Sequence, residues 1–197
     1  MHRAGHFLLI FMSLGVAGYA VMAYGLLPFG ALVHPDMRIT FQTHALALGT
    51  HVFASALALV LGPFQFSARW RAARPQWHRW SGRAYLSIGV LLGGLSGLYM
   101  AFHAYGGMVS KLGFGALALA WLYTGARAFL AIRQGDVAAH RRWMVRNFAL
   151  TWAAVTLRID LPLSMAASLP FDLAYPAIAW LCWVPNLVVA EMRFNRR

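Results

Sequence analysis

The sequence predicts an all-α fold: a polytopic integral membrane protein, a single domain over residues 1–197 built as a six-transmembrane-helix bundle with both termini in the cytoplasm. Three observations predict it. Apolar residues make up 60% of the chain and charged ones 11%, with a mean hydropathy of +0.59, whereas soluble domains run at about 45–50% and about 25%. Six apolar stretches approach the roughly 20 residues that a helix needs to cross a hydrocarbon core about 30 Å thick. The 17 Lys and Arg, set against 5 Asp and Glu, gather in alternate loops. A soluble globular enzyme is thereby excluded, and the net charge of +12 is assigned to basic cytoplasmic loops rather than to nucleic acid. A single cysteine, Cys182, allows neither an internal disulfide nor a multi-cysteine metal site.

The first span is expected at about 7–28, after Arg3. Its apolar run is longer than the roughly 7–15 residues of a signal-peptide core, so it is read as an uncleaved helix. The second and third, about 40–63 and 82–105, are punctuated by Pro28, Pro35, Pro63, Pro75 and the pair Gly106 and Gly107. The fourth is expected at about 112–132 and the fifth at about 143–166. Asp136 is the expected N-cap of a fifth helix that overshoots the membrane surface and carries His140 in its first turns. The sixth, about 173–192, holds Pro176 and Pro185, which are expected to kink it. Glu191 and Arg193 are expected to pair at its end.

Counting loops alternately puts Arg3, Arg69, Arg71, Arg74, Arg79, Arg83, Arg127, Arg133, Arg141, Arg142, Arg146, Arg193, Arg196 and Arg197 on one side, with Arg38, Lys111 and Arg158 on the other. The positive-inside rule makes the richer side cytoplasmic. Trp70, Trp77, Trp80 and Trp143 fall near that edge, as interfacial aromatics do.

Polar side chains within spans mark functional positions. On the second helix His44, His51, Ser55, Ala58 and Gly62 share a face; on the third, His78, Gly82, Gly89, Gly93, Ser96, Met100 and His103 do. In a continuous third helix His78 and His103 stand about 37 Å apart, one at each membrane surface. These small-residue faces suit either close helix packing or the approach of a flat macrocycle. His140, Met144, Asn147, Thr151, Ala154 and Arg158 line one face of the fifth helix. Arg158 is either a snorkelling arginine near Asp160 or Asp172, or an anchor for an anionic ligand group.

Histidine is a common axial ligand of haem iron. Two pairs match in depth: His78 with His140 on the cytoplasmic side, and His44 with His103 on the outer side. His51 lies deeper, as a ligand of a shifted helix or a hydrogen-bonding partner. The arginines that include Arg79 and Arg141 suit haem propionates or anionic lipid headgroups equally. No carboxylate pair, phosphate-binding loop or zinc motif stands out; His2 and His6 alone make poor evidence for zinc.

Leu61-Gly62-Pro63-Phe64-Gln65-Phe66, His78-Arg79-Trp80-Ser81-Gly82-Arg83-Ala84-Tyr85, His140-Arg141-Arg142-Trp143-Met144-Val145-Arg146 and Ala153-Ala154-Val155-Thr156-Leu157-Arg158, together with His51, resemble a bacterial family of membrane proteins catalogued as domain of unknown function 2306. More distantly, the chain resembles the six-helix, two-haem b-type cytochromes, the cytochrome b561 and bacterial quinol-linked group. That resemblance implies a third-helix histidine paired with one from the fifth, which His78 and His140 match in order. It implies haem b, one or two per chain, a quinone or small reductant as partner within the lipid bilayer, and a multi-pass place in the bacterial inner membrane. The leading expectation is thus an electron-transfer protein, compatible with membrane oxidoreductase activity. His78 and His140 are its axial ligands, His44 or His51 with His103 form a second pair, and Arg79, Arg141 and Arg158 are its anchors. The alternative is a haem-free transporter, channel or assembly subunit in which the fifth-helix stripe, with His44 and His51, lines a polar pathway.

Overall fold

In the computed structural model, which describes residues 3–194, every regular element is helical. The expectations placed on His2, Arg196 and Arg197 lie outside the described residues. Five helical runs among these are long and apolar enough to cross a membrane: Gly5–Leu26, Ala45–Gln65, Pro75–Ala101, Gly107–Arg133 and Phe171–Arg193. The chain packs as two compact units, Met1–Gly93 and Gly94–Arg197, whose boundary falls within the third of these runs.

In the first unit α1 (Arg3–Val21) winds into a π-helical turn, Met22–Leu26. The second predicted span is divided into α2 (Arg38–Thr43) and α3 (Ala45–Gln65). The break is His44, at φ −108° and ψ 31°, although its N–H still reaches the Thr40 carbonyl at 3.0 Å. A short α4 (Ala68–Ala73) is capped by Ser67, whose hydroxyl accepts the Trp70 N–H at 3.3 Å. Pro75 then opens α5 (Pro75–Ala84), a position where its missing N–H costs nothing. The helix continues through a π-helical stretch, Tyr85–Leu92, into α6 (Gly93–Ala101). The third helical run therefore begins seven residues before the expected start, because its first turns are amphipathic and rich in arginine and tryptophan. Hydropathy registers only the apolar part.

Close approach organises this unit. Ala58 on α3 is fully buried, and a Cβ added at Gly89 would lie 2.8 Å from the Ala58 methyl. Further along α3, Gln65 Nε2 donates to Ser81 Oγ at 2.7 Å, and Ser81 Oγ donates to the Trp77 carbonyl at 2.6 Å. The small-residue face is thus a helix-to-helix contact at these positions. The macrocycle alternative does not hold at Gly82 and Gly89, since Gln65 and Ala58 occupy the space beside them.

The second unit starts with α6 and turns at Gly106 and Gly107, with φ of +84° and +72°. Gly106 has a double reason to be glycine, as a Cβ there would also sit 2.7 Å from the Pro176 ring. The long α7 (Gly107–Arg133) is followed by α8 (Val137–Thr151), antiparallel to it. Asp136 caps α8 as expected, its Oδ1 accepting the Ala139 N–H at 2.8 Å. The predicted span 143–166 is two helices, α8 and α9 (Ala153–Ala166), separated at Trp152 by a tightened turn in which the Val155 N–H reaches the Trp152 carbonyl at 2.9 Å. The last span comprises α10 (Phe171–Leu181) and α11 (Val184–Phe194). The break at Cys182 and Trp183 follows from Pro185, which has no N–H for the Leu181 carbonyl and whose ring crowds it. Helix α10 packs on α7 and α9, and α11 packs on α8.

Candidate functional site

Two of the predicted histidines are held by the main chain of a neighbouring helix. In the first unit the Nδ1 of His51, on α3, lies 2.8 Å from the carbonyl oxygen of Gly93. In the second, the Nδ1 of His140, on α8, lies 2.9 Å from the carbonyl oxygen of Ala128 on α7. A carbonyl only accepts, so each Nδ1 carries the proton and donates, and in the neutral ring the lone pair resides on Nε2. Both rings are half-buried. An imidazole clamped in this way has a fixed orientation and a defined nucleophilic nitrogen, the condition of a metal-ligating histidine. Asp136 sets His140 in place locally, since the His140 N–H also closes on the Asp136 carbonyl at 3.0 Å in the capped first turn.

The remaining predicted residues are distributed as follows. His44 occupies the break between α2 and α3 and is half-buried. His78 lies in the first turn of α5 and Arg79, beside it, is exposed. Arg141, on α8, is exposed as well. His103 lies two residues past α6, which ends at Ala101, and its imidazole meets the Tyr99 ring at 5.0 Å in a tilted arrangement. His44, His51 and His78 belong to the first unit; His103, His140, Arg141 and Arg158 belong to the second. Arg158 on α9 returns one guanidinium N–H to the Ala154 carbonyl at 3.0 Å, one turn back on its own helix.

The polar stripe of α8 is a seam with α7. Asn147 is fully buried and donates from Nδ2 to the Trp121 carbonyl at 2.8 Å and to Thr124 Oγ1 at 2.9 Å. Trp121 Nε1 donates to Thr151 Oγ1 at 2.8 Å, and Thr151 Oγ1 donates to the Asn147 carbonyl at 3.0 Å. These side chains satisfy one another between helices, as polar groups in a hydrocarbon environment must. Among the described residues, no group of three or more His, Cys, Asp or Glu could hold a metal ion.

One expected pair is corrected. Glu191 binds Arg146 of α8 in a two-pronged ion pair, through Nε and through Nη2 at 2.9 Å, rather than Arg193. Residues two apart on a helix point to different sides, so Glu191 and Arg193 do not face each other. Around this pair lies a cluster that sequence reasoning missed: Arg146 sits 4.5 Å and Arg127 4.9 Å from the Trp143 ring centroid. The spacings Trp143 to Arg146 and Tyr123 to Arg127, three and four residues, were its legible signals.

The family described as predicted membrane protein, DUF2306, matches residues 48–194. No curated protein and no solved structure matches.

Proposed function

We propose, from the premise that this chain belongs to the DUF2306 family of membrane proteins, that it is a b-type cytochrome-like electron-transfer protein, passing electrons between a quinol or another small reductant and an acceptor. The observation that supports this reading is the pair of anchored imidazoles, one in each unit. His51 and His140 each donate Nδ1–H to a main-chain carbonyl, which presents Nε2 as the basic nitrogen. That is the tautomer an Nε2 iron ligand requires, and the carbonyl behind it holds the ring's plane. Each imidazole is of the donor type that haem b takes axially.

Haem b, when bound, supplies a one-electron couple whose potential responds to axial ligand, hydrogen bonding and burial. The chain's own part is orientation and charge. The Ala128 and Gly93 carbonyls keep the rings from turning, and Asp136 stiffens the first turn that carries His140. Exposed Arg79 and Arg141 offer planar, bidentate donors to carboxylates such as propionates.

The test is the visible spectrum of the detergent-purified full chain from haem-replete cells. A Soret band that shifts on dithionite reduction, with sharp visible bands, is the expected result. His140→Ala and His51→Ala should each lower bound haem while leaving the size-exclusion profile unchanged. A colourless wild-type preparation overturns the proposal.

A further inference from the structure

Helices α7, α8 and α11 build a second site, and its composition is unbalanced. Arg127 and Arg146 both lie over the Trp143 ring, at 4.9 and 4.5 Å from its centroid. Tyr123 meets Trp143 edge-on at 5.7 Å and accepts a hydrogen bond from Arg127 Nη1 at 3.2 Å. Glu191 is the one carboxylate in the cluster, and both of its oxygens are engaged by Arg146. Among the described residues Arg127 has no carboxylate partner. Two guanidinium charges therefore share one ring and one counter-charge, leaving an excess of one positive charge.

The geometry holds these arginines ready for an anion. Stacking on an aromatic face fixes the plane of a guanidinium and leaves its edge N–H groups available. Glu191 takes one edge of Arg146; Tyr123 takes a single N–H of Arg127. N–H groups remain on both guanidinium groups beside one ring, and guanidinium edges bind tetrahedral oxyanions in two-pronged fashion.

Position identifies the source of that anion. Arg127 lies six residues before the end of α7, which crosses the membrane by length and composition, so it is about 9 Å along the axis from the helix end. Leu119, Tyr123 and Leu130 stand on the same side of α7, all exposed. Acyl chains have an apolar wall beside the cationic forks, and Tyr123 and Trp143 are aromatics of the kind that sit at headgroup depth.

We propose that Tyr123, Arg127, Trp143 and Arg146 form a binding site for the phosphodiester of an anionic phospholipid. The site uses none of the anchored histidines, and its test does not require the cofactor.

Native mass spectrometry of the full chain in detergent, titrated with phosphatidylglycerol or phosphatidylcholine, tests it. Wild type should retain phosphatidylglycerol in preference to phosphatidylcholine. Arg127→Gln should weaken phosphatidylglycerol binding about tenfold, with phosphatidylcholine unchanged, because one charge-assisted contact is lost. Arg127→Lys keeps the charge without the fork and should recover only part of the affinity. Equal binding of phosphatidylglycerol by wild type and Arg127→Gln overturns the proposal. Should the glutamine variant fail to fold, the lysine variant decides, and wild-type affinity in it overturns the role given to the fork. Displacement of phosphatidylglycerol by millimolar inorganic phosphate overturns the lipid assignment, giving the cluster to a soluble anion.

Discussion

Substituting Gly89 by alanine adds one methyl group, and the structure decides the sign of its effect. The new Cβ would stand 2.8 Å from the Ala58 Cβ, 3.3 Å from its Cα and 3.4 Å from its nitrogen. Two of those atoms are main chain, so no rotamer change relieves the clash and α3 itself must shift. Overpacking costs about 1–3 kcal/mol, and a clash against main-chain atoms belongs to the upper part of that range, about 2–3 kcal/mol. Against it stands the gain from replacing a helical glycine with alanine, about 1 kcal/mol. The close contact wins, and Gly89→Ala should destabilise by about 1–2 kcal/mol; at about 2–4 °C per kcal/mol for a chain of this size, the midpoint falls by about 2–8 °C. Gly15→Ala on α1 is the matched control, because a Cβ there meets nothing within 4 Å, and it should leave the midpoint unchanged or raise it. Thermal unfolding of the detergent-solubilised chain, followed by size-exclusion fluorescence, reads both. The double variant Gly89→Ala with Ala58→Gly removes the closest contact from the other side and should recover most of the loss. An unchanged midpoint in Gly89→Ala, or no recovery in the double variant, would refute the reasoning.

Two further outcomes rest on the second unit. Asn147→Ala removes two interhelical hydrogen bonds and leaves a void at a fully buried position; bonds of this kind average about 0.6 kcal/mol in membranes, and with the void the loss should reach about 1–3 kcal/mol in the same assay. Asp136→Ala removes the cap of α8 and should cost about 0.5–2 kcal/mol, with hydrogen exchange rising at Ala139 and His140; protection as in wild type would mean that the cap does not secure the helix start.

The anchored histidines were legible only in part. The residue types and their helix faces could be read off, and Asp136 as the cap of α8 followed from chain chemistry alone. The tautomers could not, since they depend on the carbonyls of Ala128 and Gly93, which are 12 and 42 residues away in the chain. His103 lies just past a helix end, because α6 stops at Ala101, short of the end expected near 105. The helix face of Asn147 and Thr151 was read as a possible polar pathway; the hydrogen bonds to Trp121 and Thr124 make it a seam.

Local chemistry determined the class of this protein. Apolar runs longer than about 20 residues must be helical in lipid, because each main-chain polar group has to be satisfied within its own segment. Proline, glycine and the Asp136 cap placed most of the helix ends for the same reason, acting over a few residues. Only the tertiary structure decided which faces meet. Among lipid-soluble helices there is little hydrophobic difference between a neighbour and the bilayer, so pairing is selected by fit and by hydrogen bonds between distant residues. Gly89 against Ala58, His140 on the Ala128 carbonyl, and Arg146 with Glu191 are such pairs.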